Sequence, residues 1–127
     1  MHKVFVYGSL LSGMGNHRLL ENSKKLGVTR SPKGFKMVDL GPFPGVVQSE
    51  DESKSVYGEV YEVNDETFQR LDRLEGYNRF SPKSGLYDRM EIETKFGRAY
   101  IYIYNGHSAR VVENGDWRAY HTKKGSL

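Results

Sequence analysis

Hydrophobic residues alternate with polar ones in several short runs, which predicts a protein built mainly from β-strands. We expect one strand in each of the runs 2–7, 35–40, 46–48, 56–63, 89–94 and 99–104. The last two runs flank a Phe96-Gly97 turn and therefore predict a hairpin. Pro42 and Pro44 stand between the second and third runs, so we expect a rigid turn there.

Two other runs carry apolar residues at helical spacing and predict helices. Residues 17–25 have leucines on one side, Asn16 in position to cap the start, and a basic last turn that complements the helix dipole. The second helix is expected to begin at Asn64 or Asp65 and to end at Gly76. Its predicted buried stripe consists of Phe68, Leu71 and Leu74.

The number and order of these elements predict the fold class. Strands outnumber helices about three to one and do not alternate strictly with them, which favours an α+β protein with a largely antiparallel, curled sheet or small barrel. A chain of 127 residues fits one domain. We expect that domain to cover residues 1–120 and a flexible tail to cover residues 121–127.

Composition narrows the function. Without cysteine, the chain can form no disulfide or thiolate site, and its four scattered histidines lack zinc-site spacing, so no metal is expected. The first apolar run is too short for a signal peptide and no run spans a membrane, so we expect a cytoplasmic protein. The net charge of +3 comes from interleaved acids and bases, which favours a small anionic ligand over nucleic acid. No pattern indicates an obligate apolar interface, so we expect a monomer.

Two features carry candidate chemistry. The first strand ends abruptly at residues 7–10, where unused backbone N–H groups can bind an anion such as a carboxylate. Glu75 lies in the last turn of the second predicted helix, where the helix dipole and partial burial both raise the pKa of a carboxyl group. The alternative is that Glu75 caps a surface helix or pairs with Arg73 or Arg79.

Other residues compete for these roles. Asp72 lies one turn before Glu75 and is interpreted as structural, whereas Glu59 alternates along its strand and is the best rival acid. Ser9 lacks the flanking glycines of a nucleophile elbow, so a binding role is preferred for it. The loop over residues 8–15 lacks the ending of a nucleotide P-loop.

Tyrosines in the run 99–104 raise the alternative of RNA binding, because aromatic rings on one sheet face can stack on bases. The run has Arg98 and Ile103 where a recognition motif needs aromatic residues. We therefore expect the tyrosines to pack a barrel wall with their hydroxyls turned to water or to a ligand. They are Tyr100, Tyr102 and Tyr104.

Taken together, the motifs resemble the γ-glutamylcyclotransferase-like family, with its AIG2-like and small bacterial branches. Those motifs are Tyr7-Gly8-Ser9-Leu10, Gly58-Glu59-Val60-Tyr61, Leu71-Asp72 to Glu75-Gly76-Tyr77, Tyr87 before Arg89, Tyr102 to Tyr104, and Gly115-Asp116-Trp117. They span nearly the whole chain in the order of the family. The resemblance implies a small mixed barrel, mainly antiparallel, with flanking helices.

The resemblance also implies a reaction without a cofactor. The α-amino group of a small γ-glutamyl amine or peptide attacks its own γ-carbonyl, giving 5-oxoproline and a released amine. Glu75 would accept a proton from the α-ammonium group and then donate a proton to the leaving nitrogen. Substrate binding would fall to Tyr7, Gly8, Ser9 and Leu10, with hydroxyls from Tyr87 and Tyr104 around the leaving group. The alternative is a non-catalytic module of the same fold that binds small carboxylates or serves regulation.

Overall fold

Strands make up most of the structure. The computed structural model describes residues 1–106 and 110–125, with side chains as far as residue 122. Within these ranges the strands are β1 (His2–Val6), β2 (Lys24–Arg30), β3 (Phe35–Asp39), β4 (Pro44–Gln48), β5 (Tyr57–Val63), β6 (Tyr87–Thr94), β7 (Gly97–Tyr104) and β8 (Arg110–Val112). The helices are α1 (Asp65–Glu75) and α2 (Trp117–Gly125), with short 3-10 helices at His17–Leu20 and Pro82–Ser84.

The larger sheet has the strand order β2-β5-β1-β7-β6, which places β1 at its centre. Val4 lies opposite Tyr61 of antiparallel β5 and opposite Tyr100 of parallel β7. Val4 and Phe5 have no exposed surface. Because neighbouring strands cover both edges of β1, the chain leaves the sheet at its centre, and the turn that follows lies next to the core.

The smaller sheet has the order β4-β3-β8, with both pairs antiparallel. Pro44 lies opposite Asp39 as the first residue of β4, a position in which a strand tolerates proline. Among the described residues, no strand pairing joins the two sheets into a closed barrel. The α+β class is therefore confirmed, whereas the predicted barrel is not.

Helix α1 follows the prediction closely. The Asn64 side chain caps its start by accepting a hydrogen bond from the Thr67 N–H at 2.8 Å, and Gly76 ends it in the left-handed conformation with φ of 67°. Phe68 and Leu71 are buried, but 41% of Leu74 is exposed. Residues spaced by three drift around a helix of 3.6 residues per turn, so the third member of the stripe leaves the buried face.

The prediction of a helix over residues 17–25 is wrong. Only a 3-10 turn forms at His17–Leu20, and β2 then pairs with β5, with a bulge between Lys25 and Gly27. The backbone of β2 gains a partner strand along β5, which outweighs weak local helix propensity. Asn16 does not cap a helix, because its side chain bonds to Ser9 instead.

Helix α2 was not predicted from the sequence. The Asp116 side chain accepts a hydrogen bond from the Ala119 N–H at 3.2 Å, and Trp117 is almost fully buried, which anchors the first turn. The helix continues to Gly125, so it crosses the expected boundary between residues 1–120 and the tail 121–127. That boundary stays a prediction, and residues 126–127 lie outside the described part.

Candidate active site

A cavity of about 270 Å³ lies where the end of β1 meets the end of α1. Residues 5–10 form one wall, and residues 42–44, which lead into β4, form another. Leu74 and Glu75 close it from α1, and Leu86 and Tyr87 close it at the start of β6. The carboxyl group of Glu75 and the turn after β1 therefore share one sheltered space.

The turn after β1, which lines this cavity, contains unpaired backbone donors. The Leu11 N–H donates to the Gly8 carbonyl at 3.0 Å and closes the turn. Within the described residues, the N–H groups of Gly8, Ser9 and Leu10 have no hydrogen-bond acceptor. A Cβ on Gly8 would lie 2.8 Å from the Pro44 ring, so the turn needs glycine to sit this close to β4. Such a turn can bind a carboxylate or a carbonyl oxygen.

Asn16 fixes the position of Ser9. The Asn16 backbone N–H donates to the Ser9 carbonyl at 2.8 Å, and its side-chain amide donates to the Ser9 hydroxyl oxygen at 2.9 Å. An amide nitrogen cannot accept a proton, so this contact does not activate Ser9 as a nucleophile. The geometry suits a binding role for Ser9.

Glu75 is the last residue of α1, and its side chain is half-buried against the cavity. No described residue forms a hydrogen bond or ion pair with its carboxyl group, including Arg73 and Arg79, the pairing partners considered from the sequence. Burial raises the pKa of Glu75 to about 7. A carboxyl group of this pKa is present in both protonation states near neutral pH and can exchange protons efficiently.

Three buried tyrosines, Tyr7, Tyr87 and Tyr102, line the cavity with Glu75, and the first two donate to backbone carbonyls. The Tyr7 hydroxyl donates to the Tyr102 carbonyl at 2.7 Å, and the Tyr87 hydroxyl donates to the Pro44 carbonyl at 2.6 Å. Burial, with a smaller contribution from nearby negative charge, raises the pKa of both hydroxyls well above the ordinary tyrosine value. Both rings therefore stay neutral and hold the cavity wall through fixed hydrogen bonds.

A network that sequence reasoning missed links the cavity to α1. The Tyr102 hydroxyl donates to one oxygen of Asp72 at 2.6 Å, and the Arg89 guanidinium donates to the other oxygen at 2.6 Å. Arg89 in turn lies over the rings of Phe68 and Tyr77, each at 4.4 Å. Asp72 lies three residues before Glu75, a spacing that places both on one face of the helix. This spacing is the sequence signal that could have indicated a role for Asp72 beside the cavity.

Tyr104, the other expected binding tyrosine, does not line the cavity. Its ring packs against Tyr87 with centroids 6.2 Å apart. Tyr102 is almost fully buried, and the Tyr100 ring packs against Phe68 and Arg89. The Tyr102 ring is therefore not exposed for stacking on a base, whereas the Tyr100 ring is half-buried.

Glu59, the rival acid, lies outside the cavity and has no exposed surface. Its carboxylate accepts hydrogen bonds from the Ser12 N–H at 2.9 Å, the Ser12 hydroxyl at 2.8 Å and the Tyr61 hydroxyl at 2.8 Å. Burial by itself raises the pKa of Glu59, but these hydrogen bonds outweigh it and the pKa is lowered. Glu59 is thus a paired ion within the fold.

Among the described residues, no three His, Asp or Glu side chains are grouped to hold one metal ion. Neither described helix combines the length and the apolar character needed to cross a membrane. His107, one of the four histidines considered from the sequence, lies outside the described residues.

Known proteins provide an independent comparison. Residues 4–119 match the model of a family described as γ-glutamyl cyclotransferase, AIG2-like. A Vibrio cholerae protein assigned by name to the γ-glutamylcyclotransferases is 42% identical over 120 residues, which cover 91% of this chain and 95% of that protein.

One further relative and one solved structure complete the comparison. The γ-L-glutamyl-butirosin B γ-glutamyl cyclotransferase of Niallia circulans is 33% identical, with 99% of this chain and 81% of that enzyme covered. An uncharacterised protein from Pyrococcus horikoshii, 24% identical, shares the fold with a TM-score of 0.80 over 99% of this chain and 98% of that one. The chain therefore belongs to the AIG2-like γ-glutamyl cyclotransferase family.

Proposed function

We propose that this protein cyclises the γ-glutamyl group of a small γ-glutamyl amine or peptide to 5-oxoproline and releases the amine. The observation that carries this proposal is the position of Glu75. Its carboxyl group, with a pKa raised to about 7, shares a cavity with the unpaired N–H groups of residues 8–10. The cavity thus combines an anion-binding turn with a single proton-exchanging group.

The turn after β1 binds the glutamyl head in this proposal. The N–H groups of Gly8, Ser9 and Leu10 donate to the α-carboxylate or to the γ-carbonyl oxygen, because no described residue competes for them. Tyr7 and Tyr87 shape the wall around the head. Because amine and carbonyl belong to one molecule, attack in a well-aligned geometry can supply up to about 7–11 kcal/mol of barrier reduction.

Glu75 moves the proton. In its ionised form it takes a proton from the α-ammonium group of the substrate, and the freed amine attacks the γ-carbonyl carbon. A ring C–N bond forms, and the C–N bond to the leaving amine breaks. The protonated Glu75 then donates this proton to the leaving nitrogen as the C–N bond breaks. The ionised Glu75 next takes the second proton from the ring nitrogen and passes it to the released amine, which leaves as an ammonium ion. The carboxyl group is then back in its starting state.

The relatives support the reaction type and leave the substrate open. The Niallia circulans enzyme is named for γ-L-glutamyl-butirosin B, and nothing in the present cavity selects that compound. The sequence-based expectations of cytoplasmic location, a monomeric state, no cofactor and no nucleic-acid partner remain parts of this proposal.

The test is release of 5-oxoproline from a panel of γ-glutamyl amides. Glu75→Gln removes the proton acceptor but keeps the size of the side chain, so we expect kcat to fall about 100-fold or more. Glu66→Gln is the matched control, since Glu66 lies on the exposed face of α1 and pairs with Arg70. No product from any amide, or full activity in Glu75→Gln, would contradict the proposal.

The second candidate is a module that binds small carboxylates without turning them over. It is favoured by the same unpaired N–H groups, which can hold a carboxylate whether or not Glu75 reacts. Thermal shift with 5-oxoproline, glutamate and γ-glutamyl amides distinguishes the two candidates. Stabilisation by these ligands without any 5-oxoproline formation would select the binding module.

A further inference from the structure

The mouth of the cavity differs in character from its inner end. The inner end holds Glu75 and the turn after β1, whereas Pro42, Leu74 and Leu86 at the outer end are exposed to solvent and apolar. Leu74 is 41% and Leu86 45% exposed. Both line the same space as the catalytic acid, and exposed large apolar side chains at a cavity mouth indicate a contact surface.

Charge is missing from this mouth. Glu75 is the one charged residue among the described residues that line the cavity, so no lysine or arginine lies there to pair with an anionic substrate tail. Two basic residues occur in the segment between α1 and β6, and both are engaged. Arg79 lies over the Phe80 ring at 4.9 Å, and Lys83 pairs with Asp88 at 2.8 Å.

We infer that Leu74 and Leu86, with Pro42 and Phe43, form a subsite for the apolar tail of the leaving amine, so that the preferred substrates are γ-glutamyl amides of uncharged, branched or aromatic amines. This inference rests on the proposed function. The glutamyl head occupies the inner end, and the scissile amide places its nitrogen substituent toward the mouth. A carboxylate in this position would lose water without gaining a cation, whereas an apolar tail gains contacts.

The experiment compares two amides of equal shape. The two compounds are γ-glutamyl-3-methylbutylamide and γ-glutamyl-β-alanine, here called the 3-methylbutylamide and the β-alanine amide. Their tails have the same number and branching of heavy atoms. One tail ends in two methyl groups and the other ends in the two oxygens of a carboxylate. We expect kcat/KM for 5-oxoproline release to be at least about tenfold higher for the 3-methylbutylamide.

A charge placed at the mouth should reverse this preference. Leu86→Arg adds a cation at an exposed position, so we expect the ratio of the two kcat/KM values to shift about tenfold toward the β-alanine amide. Val28→Arg is the matched control, because Val28 is similarly exposed but lies on β2, away from the cavity. Circular dichroism of both variants verifies that they are folded.

The outcomes separate this inference from the proposed function. Turnover with equal rates for the two amides, or with the β-alanine amide preferred, overturns the apolar subsite and leaves the cyclotransferase activity in place. A failure to release 5-oxoproline from every amide rejects the proposed function and the subsite with it. Light scattering tests the competing occupant, a second copy of the chain. Dimers of the wild type that Leu86→Arg dissociates, with an unchanged substrate ratio, also overturn the subsite.

Discussion

The behaviour of Glu75 follows from what surrounds its carboxyl group. Burial against the cavity disfavours the charged form, and no described donor compensates, so the pKa rises to about 7. The proposed reaction needs the ionised carboxylate in the free enzyme. We therefore expect kcat/KM to fall about tenfold for each pH unit below about 7, measured as 5-oxoproline release over pH 5–8. A rate that stays flat through this range would show that Glu75 is not the proton acceptor.

Unfolding experiments give a second reading of the same pKa. Between the ordinary value of 4.5 and about 7, the folded state binds more protons at Glu75 than the unfolded chain, so ionisation opposes folding as pH rises. Glu75→Gln has no ionisable group at this position and avoids this cost. As pH rises from 4 to 8, the free energy of unfolding of the variant, measured in urea, should therefore increase by about 1–3 kcal/mol relative to that of the wild type. Glu66→Gln should show no such change.

At the scale of elements, Asp72 connects α1 to β6 and β7. Asp72 bonds to Tyr102 of β7 and to Arg89 of β6, and both charged side chains are mostly buried. Because this contact is shielded from water, a double-mutant cycle of Tyr102→Phe with Asp72→Asn should give a coupling energy of about 1–2 kcal/mol in urea unfolding.

The same helix offers a matched comparison. Glu66 and Arg70 form a pair of similar length, 2.7 Å, on the exposed face of α1. An exposed pair at this spacing contributes about 0.3–0.5 kcal/mol, so its cycle should give a clearly smaller coupling. Equal coupling in the two cycles would mean that Asp72 does not anchor the helix end that carries Glu75.

Local signals decide which elements could be predicted. Helix α1 has a side-chain cap at Asn64 and a left-handed glycine at Gly76, so local residues define both of its ends. Strand β2 was missed because its pairing with β5 depends on a partner more than 25 residues away. The Arg89–Asp72 contact was missed because its two residues, 17 apart in sequence, lie on different elements that meet only in the tertiary structure.

The candidate site shows the same division. The turn at residues 7–10 and the acid at Glu75 each carry a local signature, and both line the cavity. Alternation along β7 places Tyr102 and Tyr104 on the same face, so it could not indicate that Tyr102 rather than Tyr104 lines the cavity. Leu74 was assigned to the core because three-residue spacing was taken to keep it on the buried face. The exposure of Leu74 at the cavity mouth could be recognised only from the tertiary structure.

At the scale of the whole molecule, Glu59 joins segments that are distant in sequence. Its buried carboxylate on β5 accepts hydrogen bonds from Ser12 in the loop after β1, and it lies 3.4 Å from Arg118 of α2 and 3.7 Å from Lys25 of β2. Arg118 also bonds to the Ser12 carbonyl. The charge therefore holds the loop that carries the candidate binding turn against the core.

Replacing this charge should weaken the whole fold. Glu59→Gln keeps the shape of the side chain, but its NH2 group then faces the hydrogen-bond donors of Ser12 or Tyr61. We therefore expect the free energy of unfolding, measured in urea at pH 7, to fall by about 2–4 kcal/mol. Because the pKa of Glu59 is lowered in the folded state, its stabilisation is present above about 4.5 and is lost as pH falls through the folded value. The difference between wild type and Glu59→Gln should therefore narrow below pH 4. Glu62→Gln on the same strand should change stability by less than about 0.5 kcal/mol. If both variants lose the same stability, the buried charge does not hold these segments together.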